Sequence, residues 1–252
     1  MTHLSVNINK VALLRNSRGR DFPSVVKFAR RCLELGAHGI TLHPRPDERH
    51  ARYSDVEELK PLVQEFGVEL NVEGNPTDEF LDVVLRARPH QCTLVPDDPG
   101  QLTSDHGWDL RKYETSLRTV IAQLKQQGIR VSLFVDYDSP HIELARDYGA
   151  DRVELYTEPY AENFATPRAD GMLAAFAQAA RRAQAAGLGV NAGHDLNLDN
   201  LPRFLTIPGI LEVSIGHALT AECIEHGIEH VIRRYVAICG SSDLAQRAGG
   251  RG

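Results

Sequence analysis

A single TIM-type (β/α)8 barrel is the fold this 252-residue sequence predicts, and three observations predict it. Segments of strand and helix pattern alternate eight times from end to end, which calls for a parallel sheet with helices outside it. Eight such units in a chain of this length favour closure into a barrel over an open sheet. Gly36, Gly67, Gly128, Gly149, Gly187 and Gly209 each fall after a helical stretch and before a strand, where a left-handed cap is needed.

The strands read as 4–8, 39–43, 68–73, 91–95, 129–135, 152–156, 188–192 and 210–215. Each is a short run rich in β-branched or apolar residues, bounded by turn residues. Helical stretches lie near 22–35, 54–66, 77–87, 110–127, 139–148, 169–186, 197–206 and 218–239. LGAHGITLH (35–43) and YGADRVELY (148–156) share one pattern, two copies of the same joint between helix and strand. The connections 96–109 and 157–168 are longer than a barrel needs and follow strands, which makes them candidate lids over a ligand. The barrel is expected over 1–240 as one domain, with 241–252, which is Gly-rich, as a flexible tail.

Composition narrows the function classes. A net charge of −6 and 42% hydrophobic residues suit one large core and do not favour nucleic acid as a partner. Cys32, Cys92, Cys223 and Cys239 lie far apart with no CxxC pair, so they read as reduced thiols of a cytoplasmic protein rather than a zinc site. MTHLSVNINK has no long apolar segment, which predicts no secretory leader, and no run reaches the ~18 apolar residues of a membrane span.

Active sites of this architecture lie where the strands end. The first strand ends in Asn7 and Asn9, followed by Lys10, Arg15 and Arg18. The second stops at His43, followed by Arg45, Arg49 and His50. The third ends in Glu73, the fifth in Asp136, and the sixth carries Glu154. The last two close on AGH and IGH, with His194 and His217. A ring of imidazoles and carboxylates supports proton transfer. Burial at a barrel mouth would raise the pKa of Glu73 and Glu154 toward use as bases. The arginines point to an anionic ligand. Gly193 and Gly216 would let a ligand oxygen approach the backbone, and the helix after Gly216 and His217 would favour an anion. Lys10 with RNSRGR (15–20) offers a second basic cluster for another anionic group. Three other readings remain on these residues: a Schiff-base aldolase using Lys10, a metal-dependent isomerase using His43, Glu73, Glu154 and His194, and a sugar-phosphate sensor without catalysis.

The motifs NIN-K-x-A-x-LRNSRG (7–19), TLHPRPDERH (41–50), LNVEGN (70–75), LVP (94–96), VSLFVD (131–136), VELYTEPYA (153–161), VNAGHDL (190–196) and IGHAL (215–219) occur in the order of one family. Over about residues 4–238 the chain resembles the pyridoxine 5′-phosphate synthases, transferases of vitamin B6 synthesis. The resemblance implies a TIM barrel with a few extra helices, assembled as a homo-octamer of dimers, with no metal or organic cofactor. It also implies condensation of 3-amino-2-oxopropyl phosphate with 1-deoxy-D-xylulose 5-phosphate. By the same resemblance His43 and Glu73 are proton acceptors, His194 is a proton donor, and Glu154 stabilises charge in a transition state. Asn7, Arg18, Arg45, His50, Thr103, Gly216 and His217 match substrate ligands. The chain departs from the common family pattern at Asn9 and Lys10, where many members have Asp-His, and at Asp195, where many have glycine. All three positions fall among the substrate contacts.

Overall fold

The strands alternate apolar and polar residues, and that alternation decides the architecture. In a computed structural model, which describes residues 1–97 and 104–249, eight parallel strands close into a barrel in sequence order. They are β1 (His3–Asn7), β2 (Gly39–Leu42), β3 (Glu69–Gly74), β4 (Gln91–Leu94), β5 (Arg130–Val135), β6 (Arg152–Tyr156), β7 (Gly189–Gly193) and β8 (Ile210–Ile215). Val6 pairs with Ile40 at the β1–β2 seam, and Leu4 pairs with Val213 where β8 closes on β1.

Successive side chains of a strand point to opposite faces. One set, including Leu4, Val6, Ile40, Leu42, Leu70, Val72, Val131, Leu133, Val153 and Leu155, joins the main hydrophobic cluster with the helices. The alternate set is polar and meets across the barrel. Gln91 of β4 donates to Glu212 of β8 at 3.3 Å, and Asn191 of β7 lies 3.5 Å from Gln91. Such contacts between strands on opposite walls require side chains on the barrel axis. Branched apolar residues dominate the interior of many barrels of this type; here the axis is a column of hydrogen-bonded polar groups.

The helices are α1 (Asn9–Asn16), α2 (Val25–Glu34), α3 (Tyr53–Phe66), α4 (Asp78–Ala87), α5 (Glu114–Gln126), α6 (Leu144–Asp147), α7 (Glu158–Asn163), α8 (Ala169–Ala185), α9 (Leu201–Phe204), α10 (His217–His226) and α11 (Ile228–Gly249). Local chemistry sets several boundaries. Ser24 accepts from the Lys27 amide at the start of α2, and Thr77 accepts from the Phe80 amide at the start of α4. The six glycines expected before strands all take positive φ.

Three elements differ from the sequence reading. Residues 9–16, expected as a loop, form α1. Residues 158–163, expected within a long connection, form α7. The stretch 218–239, expected as one helix, divides into α10 and α11 at Gly227, whose φ is +83°. The chain stays helical past 240 to Gly249.

The formation of α1 also corrects the basic cluster. Arg15 is on the buried face of α1, not in a ligand loop. Its guanidinium binds both carboxylate oxygens of Asp55, at 2.5 and 2.9 Å, and it donates to the His50 carbonyl at 3.3 Å. Asp55 in turn accepts from the Arg52 amide at 2.8 Å and so caps α3. Asn16 donates to the carbonyls of Glu48 and His50. The end of α1 therefore holds down the loop after β2. Removing one partner of a buried ion pair strands the other charge. Arg15→Met is expected to lower unfolding free energy by roughly 3–5 kcal/mol, read by urea denaturation near neutral pH.

Candidate active site

The ends of β1, β2, β3, β6 and β7 bring the expected acids and bases to one mouth of the barrel. Glu73, near the end of β3, is buried between two amides. Asn7 Nδ2 donates to its Oε2 and Asn71 Nδ2 to its Oε1, each at 3.4 Å. Asn7 is itself held by the Asn9 amide, which donates to Asn7 Oδ1 at 3.0 Å. Asn9 uses its own Oδ1 to accept from the His43 amide at 2.9 Å. Asn7 and Asn9 thus join the end of β1 to both Glu73 and His43.

Glu154 lies deeper. Thr93 Oγ1 is 3.5 Å from its Oε2, and Gly193 leaves room for its other oxygen. A Cβ at position 193 would stand 2.3 Å from Glu154 Oε1. The glycine of the AGH motif therefore accommodates a carboxyl of the protein, which corrects its reading as a gap for a ligand. Gly216 is similar, since a Cβ there would meet the Asn7 side chain at 3.1 Å. Gly216 still caps α10, whose first residue is His217.

Burial sets the protonation states. Desolvation, with the charges of Glu212 and Asp97, pushes Glu73 up to about 8. Glu154 is held well above the usual carboxylate range by burial and by the charges of Glu73 and Glu212. The two carboxyls cannot both ionise cheaply, and the deeper one retains its proton. Glu154 is thereby biased toward its protonated, hydrogen-bonding form, where the sequence suggested a base. His43 is kept neutral for the converse reason: burial, with Arg45, His50 and His194 nearby, takes its imidazole well below its ordinary value. His50 falls to about 4 from burial and from Arg45, Arg49 and Lys10.

His43 and His50 meet edge to face with ring centres 6.2 Å apart. His43 Nε2 lies 3.8 Å from Asp97 Oδ2. The same carboxylate is ion-paired with Arg45 and accepts from Ser104 Oγ at 2.9 Å. His43, Pro44, Arg45, Asn75 and Asp97 line a cavity of about 180 Å³. A cavity of about 470 Å³ lies elsewhere, between the segments 106–111 and 136–141, and Asp136 belongs to it rather than to the mouth. Sequence reasoning missed Asp97. Its signal was the first of two adjacent aspartates following LVP at the head of a long loop.

His194 follows β7 and packs edge-on against Tyr156 at 5.2 Å, with Phe134 at 6.4 Å. Its Nδ1 is 3.6 Å from Asp195 Oδ2. Asp195 is held below the usual carboxylate range by His194 first, and also by His217 and Lys10. The departures Lys10 and Asp195 therefore act on one another across the mouth. Among the described residues no contact joins Arg18 to His43, Glu73 or His194; it stands exposed beyond the end of α1. Thr103 lies outside the described residues.

Fold and site together define an α/β barrel whose strand ends gather imidazoles and carboxyls in a common, partly dry mouth. A family model described as "Pyridoxal phosphate biosynthesis protein PdxJ" matches residues 4–241. A relative from Xanthomonas axonopodis pv. citri, named pyridoxine 5′-phosphate synthase, is 53% identical over 97% of this chain and 99% of its own length. One of the same name from Parabacteroides distasonis is 52% identical over 96% of this chain and 100% of its own. The chain belongs to this family, whose members act in pyridoxine biosynthesis. Among solved structures, a thiamine phosphate pyrophosphorylase from Pyrococcus furiosus superposes with a TM-score of 0.63 at 16% identity, over 95% of this chain and 96% of that one. That likeness is one of fold. Among the described residues no helix is long and apolar enough to cross a membrane.

Two outcomes test the site as described. Glu73 binds its proton more tightly when folded than its unfolded value of about 4.3 allows, so its contribution to stability declines as pH rises from there to about 8. Glu73→Gln carries no such proton. Its stability relative to the parent should therefore improve steadily between pH 5 and 8.5 in urea titrations, and a flat difference would refute the assignment. Gly193→Ala should force Glu154 out of place and lower stability by roughly 1–3 kcal/mol, read by the same titration.

Proposed function

We propose that this chain condenses 3-amino-2-oxopropyl phosphate with 1-deoxy-D-xylulose 5-phosphate, giving pyridoxine 5′-phosphate, inorganic phosphate and water. The observation that carries the proposal is the convergence of Glu73, Glu154, His43 and His194 on one mouth, where burial raises the two carboxyls and lowers the His43 imidazole. The relatives' shared name supports the product.

The amine of one substrate adds to the ketone of the other and water leaves, forming an imine. The later steps are eliminations and a ring closure, each of which moves protons. Neutral His43 accepts a proton at neutral pH, and Glu73 accepts one once ionised. His194, the most solvent-accessible of the four, delivers protons to leaving oxygens. Glu154, holding its own proton, donates a hydrogen bond to charge that develops in the transition state.

Both substrates carry phosphate, so two anion sites are required. Asn9 and Lys10 serve the deoxyxylulose phosphate, and Asn7, Arg18, Arg45, His50 and Thr103 are read as ligands of the two substrates and their phosphates, Arg18 having to swing in from the surface. Asp195, Gly216 and His217 are read as further substrate ligands, with a phosphate at the first turn of α10. The ion pair with Asp97 keeps Arg45 buried and oriented until a phosphate competes for it. A homo-octamer of dimers in the cytoplasm completes the proposal, and sedimentation at assay concentration checks the assembly.

Purified protein mixed with both phosphates should yield pyridoxine 5′-phosphate, followed by its absorbance. His194→Ala and Glu73→Gln should each lower kcat by about 10²–10⁴-fold with the fold intact. Unchanged turnover in either variant would remove that residue from its role, and absence of product from the parent protein would overturn the reaction.

A further inference from the structure

The turn that carries His194 is bent against the preference of its own residues. His194 has φ +86° and Asp195 φ +58°, and neither is glycine. Left-handed backbone brings the Cβ of an ordinary residue close to its own peptide groups, so two consecutive residues there must be held by their surroundings.

Two buried side chains do the holding. Thr157, directly after β6, places its hydroxyl 2.6 Å from the Gly193 carbonyl and also against the His194 carbonyl. Its single proton serves both oxygens. The Thr157 amide donates to Gly193 O at 2.9 Å as well. On the other side Asn200 Nδ2 donates to Asp195 O at 3.0 Å. Three successive carbonyls, 193 to 195, are therefore drawn into the protein. Asn200 is fixed in turn: its Oδ1 accepts from the Asn197 amide at 2.8 Å, and its carbonyl accepts from Tyr160 Oη at 2.8 Å. Tyr160 is locked among Phe164, Phe176 and Phe204.

We infer that Thr157 and Asn200 are positioning residues that clamp the 193–195 turn and so aim the His194 imidazole into the mouth. Both are buried and act through the backbone of the 193–195 turn. The inference rests on the reading of His194 as proton donor, but the clamp itself can be observed without turnover.

The test compares Thr157→Val, which keeps the shape and removes the hydroxyl, with Thr157→Ser, which keeps the hydroxyl. The nitrogen resonances of the His194 ring are followed by NMR through a pH titration of each full-length protein. Kinetics with both phosphates are measured in parallel. Thr157→Val should shift the titration midpoint or tautomer of His194. It should also lower kcat about 10- to 100-fold, as expected when a reacting group is displaced by about an ångström, with KM within about threefold. Thr157→Ser should restore both. If Thr157→Val does not fold, Asn200→Asp, which keeps the acceptor for the Asn197 amide but replaces the donor to Asp195 O with a carboxylate oxygen, is read by the same two measurements. An unchanged His194 titration in the variant, or a serine variant no better than the valine one, overturns the clamp. If the parent protein forms no product, the ring titration still decides this inference while the proposed reaction fails separately.

Discussion

Everything at the mouth of this barrel depends on how a carboxyl is kept inside it. Glu73, Glu154 and Glu212 share an interior closed by eight strands, where an isolated ionised carboxylate would be prohibitively costly. The barrel meets this constraint in two ways. At the lower end Glu212 lies 3.7 Å from Arg152 and receives hydrogen bonds from Gln91 and Asn191. Toward the upper end no cation pairs with the carboxyls among the described residues; they meet the amides of Asn7 and Asn71 and the hydroxyls of Thr93 and Ser214. Burial raises all three carboxyls, but at Glu212 Arg152 and Arg130 oppose the rise, while at Glu73 and Glu154 neighbouring carboxylates add to it. The lower part of the column is a structural ion network, and the upper part is chemically poised, although both are built from the same alternation of residues.

The mouth is governed by the reverse effect on cations. His43 and His50 stand close to Arg45, Arg49 and Lys10, and burial with those positive charges keeps both rings neutral. Asp97 offsets part of this charge through Arg45, and Asp195 does so near His194 and His217. Acid and base preferences are thus opposed within one mouth: carboxyls that keep protons and imidazoles that shed them are joined through Asn7 and Asn9. Both groups are therefore held in their neutral forms, the carboxyls able to donate a hydrogen bond and the imidazoles to accept one.

Rigidity comes from outside the column. The Arg15–Asp55 pair caps α3 and anchors the loop that carries Arg45 and His50. The tight fit of Gly193 over Glu154 ties the β7 turn to β6. These contacts join elements distant in sequence, so displacement at one strand end is felt at its neighbours.

The fold was legible in the chain because period and punctuation are local properties. A helix or strand announces itself over ten residues, and a glycine before a strand reports a backbone angle. The strand ends were legible for the same reason, and His43, Glu73, Glu154 and His194 could be picked out before any geometry was known. The alternation LSVN, ITLH and LNVE already placed polar residues on one face of each strand, and closure in three dimensions turned that face into an axis. Other features could not be read. Arg15 and Arg18 look alike in RNSRGR, and only the winding of α1 sends one to Asp55 and leaves the other in solvent. Gly193 looked like space for a ligand until Glu154 was found beneath it. Whether a carboxyl is a base or a neutral donor depends on which charges surround it in space. The sequence by itself therefore determined the barrel, its strand ends and the kinds of group gathered there. Tertiary structure alone decided which of those groups are charged and which are structural, because burial and pairing are set by residues far apart in the chain.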